Sequence, residues 1–103
     1  MNRHLRRKQK KEGNKKNNIQ SKLIEAINFH SNKHFEKAER IYKQLNESSP
    51  DNYDVLRHLG ILNQDLGRLE EAYNFFQEAI KVKPDGFEAL NNLGTIHVLN
   101  KNQ

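Results

Sequence analysis

The sequence predicts an all-α fold, an α-solenoid of about two and a half tandem helix-turn-helix repeats. Three observations carry that expectation: one fixed internal offset, helical spacing of the apolar residues, and turn chemistry at the unit boundaries. Pro50 and Pro84 lie 34 residues apart, and the same offset relates Phe35 to Leu69, Ala38 to Ala72, Tyr42 to Phe76 and Leu45 to Ala79. It also pairs Leu56 with Leu90, Leu59 with Leu93, and joins the triple Ala26, Gly60 and Gly94. So many size-matched pairs at one period mark a structural repeat.

Five helices are expected, near 19–31, 35–48, 52–65, 69–82 and 86–99. In the second, Phe35, Ala38, Ile41, Tyr42 and Leu45 fall on one helical face, and in the fourth Leu69, Ala72, Phe75, Phe76, Ala79 and Ile80 do the same. Breaks are set by Ser31-Asn32-Lys33, by Ser48-Ser49-Pro50-Asp51-Asn52, by Leu66-Gly67-Arg68 and by Lys83-Pro84-Asp85-Gly86. Gly67 suits the left-handed residue that closes a helix, and Asp85 with Glu88 three residues on suggests a capping box for the last one.

The chain divides by charge. Of its 18 Lys and Arg, eight fall in residues 1–18 against the single acidic Glu12, a net +7. The remaining 10 basic and 12 acidic residues give −2, so the overall +5 belongs to the tail. Residues 1–18 are expected as a basic disordered tail, since they have too little apolar surface to offset ordering entropy. Residues 19–103 are expected as the repeat domain, with repeats 19–52, 53–86 and a partial 87–103. Hydrophobic residues are 34% of the chain, low for a compact globule but workable where stripes are buried between neighbouring helices.

Cysteine is absent, which removes disulfides, thiolate metal sites and thiol nucleophiles. No run reaches the ~18 apolar residues of a membrane helix, and the basic N-terminus is followed by no apolar stretch. A cytoplasmic protein is the default expectation. His30 and His34 are four apart, a spacing that can hold a metal on one helix face, but they straddle an expected turn and read as an ordinary surface pair. No metal, no cofactor and no catalytic residue is expected, there being neither a nucleotide-binding loop nor a nucleophile elbow.

The 34-residue unit with small residues at fixed places resembles the tetratricopeptide repeat, most closely over residues 53–86, through Leu56, Leu59-Gly60, Gly67, Leu69, Ala72, Phe76, Ala79 and Pro84. Repeat one departs from the pattern with Glu25 where leucine is usual, and repeat two with Asn63 in place of an aromatic. Apart from the family name, glycine costs a helix roughly 1 kcal/mol against alanine, so Gly60 and Gly94 suggest close helix approaches. Ala38, Ala72 and Ala79 are then the opposite walls, and Tyr42 and Phe76 the fillers between units.

The resemblance implies a protein-interaction scaffold whose first helices line a concave groove. The matching positions are Gln20, Leu23, Ile24 and Ile27 in repeat one, Asp54, Arg57, His58, Ile61 and Gln64 in repeat two, and Glu88, Asn91, Asn92 and Thr95 in repeat three. Such a surface suits an extended peptide held by amide side chains, with one apolar residue near Leu23 and Ile27. The family's carboxylate clamp for chaperone C-termini is disfavoured, because Leu23 and Ile27 stand where its first lysine and asparagine belong, and Glu88 and Asn92 at its later basic places. Two alternatives have other grounds. Ala89-Leu90-Asn91-Asn92-Leu93-Gly94 is similar to repeats that precede glycosyltransferase and sulfotransferase domains, implying a substrate-recruiting segment of a longer enzyme. The basic tail suggests non-specific contact with RNA, ribosomes or another anionic surface.

The last helix has more apolar residues than one packed face requires: Phe87, Ala89, Leu90, Leu93, Ile96, Val98 and Leu99. Some of Ala89, Ile96 and Val98 are therefore expected to be exposed, and self-association through this helix is one way to cover them.

Overall fold

The computed structural model describes residues 18–101, and the expected tail therefore lies, but for residue 18, outside the described residues. The described chain is helical, with α1 over 18–31, α2 Phe35–Ser48, α3 Tyr53–Asp65, α4 Leu69–Val82 and α5 Phe87–Lys101. Each expected helix is present to within about two residues.

The boundaries follow from local chemistry. At the end of α1 the chain turns through Lys33, at φ 64°, and His34 N–H donates to Phe29 C=O at 2.8 Å. One unit later Gly67, at φ 77°, occupies the same place, and Arg68 N–H donates to Asn63 C=O at 2.8 Å. Both are six-to-one closures of a helix C-terminus around a left-handed residue. Asn52 caps α3, its side chain accepting from Val55 N–H at 3.1 Å.

The capping box expected at Asp85 and Glu88 is replaced by a longer-range device. Gly86 directly precedes α5, and its carbonyl accepts from Leu90 N–H. The Tyr53 hydroxyl accepts from Ala89 N–H at 3.2 Å and donates to Glu88 Oε2 at 2.8 Å. A side chain at the start of α3 thus satisfies an orphan donor in the first turn of α5. Gly86 is buried because the Tyr53 ring lies against it: a Cβ there would fall 2.7 Å from Tyr53 Cζ. Burial pushes the Tyr53 hydroxyl pKa up and its bond to Glu88 adds to the rise; accepting that bond holds the Glu88 carboxyl below its ordinary value.

Packing runs through the interfaces between successive helices. Leu23, Ala26, Ala38, Tyr42, Leu45, Val55, Leu59 and Leu62 form one core across α1, α2 and α3. Two smaller clusters continue it: Leu56, Ala79 and Ala89, then Ala72, Phe76 and Ile96. Tyr42 and Phe76 are fully buried, as their role of filling the space between units requires. The Phe76 ring sits in the notch at Gly60, where a Cβ would lie 2.7 Å from Cδ1 and 2.8 Å from Cζ. Asn63, 4% exposed, replaces an aromatic by turning its amide onto Leu59 C=O at 2.8 Å. Arg68 reaches from the α3–α4 turn to Glu39 of α2 at 2.6 Å, an ion pair across the repeat boundary.

Two expectations about packing, on Leu23 and Gly94, are corrected, and the one on α5 is met by a single residue. Leu23 is 6% exposed and belongs to the core, because its turn of α1 faces α2 and α3. Of Ala89, Ile96 and Val98, Val98 is exposed at 59%, whereas Ala89 and Ile96 are buried at 0% and 3%, since they occupy the positions of Val55 and Leu62 and pack on the preceding helix pair. Gly94 makes no close approach: among the described residues nothing lies within 4 Å of where its Cβ would be.

Candidate functional site

A cleft of about 550 Å³ opens between α1 and α3. Ile27, His30 and Ser31 of α1 form one wall, His58, Ile61 and Asp65 of α3 the other, and Phe35 and Tyr42 of α2 contribute beside Lys33. Ile27 and Ile61 are half-buried and supply apolar area. The polar part is a short relay. His30 Nε2 lies 2.7 Å from Asp65 Oδ2, and its Nδ1 3.3 Å from the Tyr42 hydroxyl. With the proton on Nε2, Asp65 accepts it and Nδ1 is left to accept from Tyr42. Burial pushes the Tyr42 hydroxyl pKa up to about 12, and the neighbouring Asp65 carboxylate adds to the rise.

His58 stacks edge-on against Tyr42, with ring centroids 6.1 Å apart. Its desolvation, helped by the adjacent Arg57 cation, pulls its pKa down to about 4, so its ring is neutral at pH 7. His58 Nδ1 is buried and has no hydrogen-bond partner among the described residues. Arg57 Nε, Gln64 Oε1 and Asn92 Oδ1 are likewise buried without a hydrogen-bond partner. Buried polar atoms are normally paired, and four unpaired ones on the first helices of repeats two and three call for an explanation.

Of the expected groove residues, Ile27, His58 and Ile61 line this cleft together. Arg57, Gln64 and Asn92 sit on α3 and α5, half-buried, each with an unpaired polar atom. Gln20, Ile24, Asp54, Asn91 and Thr95 are exposed, and the Thr95 hydroxyl is turned back onto Asn91 C=O at 3.2 Å. Glu88 is half-buried and engaged by Tyr53. Leu23 lies in the core.

His30, Tyr42 and Asp65 were not anticipated as a group. His30 does not pair with His34, whose ring instead meets Phe29 edge-on at 6.0 Å. The signal that places His30 in the cleft is the repeat register itself, since His30 stands 34 residues before Gln64, an expected groove position. Among the described residues no three His, Cys, Asp or Glu side chains are grouped to hold a metal ion, and no helix is long and apolar enough to cross a membrane.

A solved structure of a point mutant of MamA superposes on this fold with a TM-score of 0.71 at 19% sequence identity. The match covers 82% of this chain and 61% of that one, so the present chain spans less than two thirds of its neighbour's length. At that identity the likeness concerns fold alone. A sequence model of the tetratricopeptide repeat matches residues 29–101, most of the chain and all of the helices from α2 onward. With two 34-residue units, their left-handed closures and the aromatic-in-glycine packing already described, the chain belongs to the tetratricopeptide repeat family.

Proposed function

We propose that the chain binds an extended peptide segment of a partner protein along the face formed by α1, α3 and α5, with the cleft between α1 and α3 taking one anchoring side chain. Tetratricopeptide repeats are protein-interaction scaffolds, and their fold typically carries no catalysis, so binding is the frame. The finer reading rests chiefly on one observation: the cleft between α1 and α3 brings the apolar Ile27 and Ile61 together with the polar His30, His58 and Asp65. Such a mixed lining suits a side chain with an apolar body and a polar tip. Ile27 and Ile61 support an apolar or aromatic anchor in that cleft.

The test is selection of 12-residue peptides from a random displayed library on the full chain, followed by titration against variants. Ile27→Asp and Ile61→Asp are expected to weaken selected peptides at least tenfold. The same substitutions should leave the helical circular dichroism unchanged, because both side chains are only half-buried. Peptides that bind both variants as well as the parent would place recognition elsewhere and refute the reading.

A further inference from the structure

We infer, resting on the peptide-binding reading above, that the cleft between α1 and α3 selects a tyrosine of the partner peptide, its ring held between Ile27 and Ile61 and its hydroxyl donating to the Asp65 carboxylate. The repeat supplies the comparison that singles this cleft out. One unit further on, the register sets Gln64 at the place of His30, Phe76 at that of Tyr42, Asn92 at that of His58 and Leu99 at that of Asp65. The next unit therefore stacks without the buried hydroxyl, the imidazoles or the carboxylate. Packing of a repeat does not call for these groups, and a fully buried tyrosine hydroxyl, where phenylalanine serves one unit later, costs stability unless it is paired.

It is paired, and the pairing holds a carboxylate at the cleft. The Tyr42 hydroxyl lies 3.3 Å from His30 Nδ1, and His30 Nε2 lies 2.7 Å from Asp65 Oδ2. The imidazole is thus fixed at both nitrogens between α2 and α3, and the Asp65 side chain, still 45% exposed, is held through one oxygen. A carboxylate has about four acceptor sites, so an incoming O–H is accepted beside the His30 contact.

The walls set the length and character of what enters. Ile27 to Ser31 on α1 and Ile61 to Asp65 on α3 each span four residues, about 6 Å of helical rise. The apolar end of the cleft and its polar end are therefore separated by a distance that a phenol spans from ring to hydroxyl. Phe35, His30, Tyr42 and His58 form a run of edge-on rings with centroids 5.9, 6.1 and 6.1 Å apart, and a further aromatic ring extends such a run in favourable geometry. Lys33 and Asp65 in the lining, with Arg57 and Asp54 beside His58, balance in sign, so no net field draws a charged anchor. A neutral side chain with a rigid apolar body and one donor in line at its far end meets these conditions. Phenylalanine lacks the donor, tryptophan carries it at the side of the ring, and tyrosine has it in line.

The experiment uses the full 103-residue chain and those 12-residue library peptides whose binding is weakened by Ile27→Asp or Ile61→Asp. These peptides are expected to share a tyrosine at one position. Each is resynthesised with tyrosine, phenylalanine, phosphotyrosine or arginine there and titrated by fluorescence anisotropy. Phenylalanine and arginine are expected to weaken binding roughly tenfold or more, and phosphotyrosine, whose charge meets Asp65, to abolish it. On the Asp65→Leu chain, which takes the residue of the next unit at this place, the tyrosine and phenylalanine peptides are expected to bind equally. Cleft-dependent peptides without a shared tyrosine, a phenylalanine or arginine form that binds as well as tyrosine, or a tyrosine preference that persists on the Asp65→Leu chain overturns this inference and leaves the peptide face standing. Absence of any cleft-dependent peptide overturns both. The comparison among peptides on the parent chain decides the matter even where Asp65→Leu fails to fold.

Discussion

Gly60 and Gly94 hold the same position in successive repeats, and substituting each with alanine separates helix propensity from packing. Alanine in place of glycine within a helix stabilises by roughly 1 kcal/mol. At Gly94 nothing described lies within 4 Å of the new methyl, so that gain should appear nearly whole. At Gly60 the methyl would fall 2.7 Å from Phe76 Cδ1 and 2.8 Å from Cζ, on a ring that is fully buried and cannot swing into solvent. Overpacking of this kind costs about 1 to 3 kcal/mol, and the contacts argue for the upper half of that range. Gly60→Ala is therefore expected to destabilise by about 1 to 2 kcal/mol net, and Gly60→Leu by more. For a domain of this size that is a fall in Tm of roughly 4 to 15 °C, against a rise of a few degrees for Gly94→Ala. Thermal and urea unfolding followed by circular dichroism would measure both. Shifts of the same sign for the two alanine variants would refute the reasoning, because propensity alone would then account for them.

Three further outcomes follow from single contacts. Tyr53→Phe removes the hydroxyl that accepts from Ala89 N–H and should cost about 1 kcal/mol, with faster amide exchange concentrated in the first turn of α5. Lys33 holds a left-handed φ of 64° that its 34-residue counterpart gives to glycine, so Lys33→Gly should stabilise by about 1 kcal/mol in urea melts, and Gly67→Lys should lose a similar amount. His58, with its pKa lowered from 6.5 to about 4, binds its proton more readily unfolded than folded. Stability should fall as pH drops from about 6.5 to about 4, by at most about 3 kcal/mol, and His58→Asn should flatten the denaturation profile in that window.

The fold was legible because its determinants are periodic. Helix boundaries came within two residues from proline, glycine and asparagine at fixed offsets, and the small residues Ala38, Ala72 and Ala79 lie at 0% exposure. Local signals misled where a distant partner intervened. Asp85 and Glu88 have capping-box spacing, yet the N-terminus of α5 is served by Tyr53, 36 residues before the Ala89 amide it accepts from. No local pattern reports a bond of that range. The His30–Asp65 contact, 35 residues apart, escaped for the same reason.

On α5 a count of apolar residues tells that some are exposed without telling which. Of Ala89, Ile96 and Val98 only Val98 is exposed, because a first helix in such an array has two buried sides with separate obligations. One packs on the preceding unit, and the other receives its own unit's second helix. By repeat register Ala89 and Ile96 share the side of Val55 and Leu62, which preceding residues cover. Leu90 and Gly94 share the side of Leu56 and Gly60, which α4 covers in the preceding unit. Counting apolar residues shows that some surface is unsatisfied; the repeat register shows which.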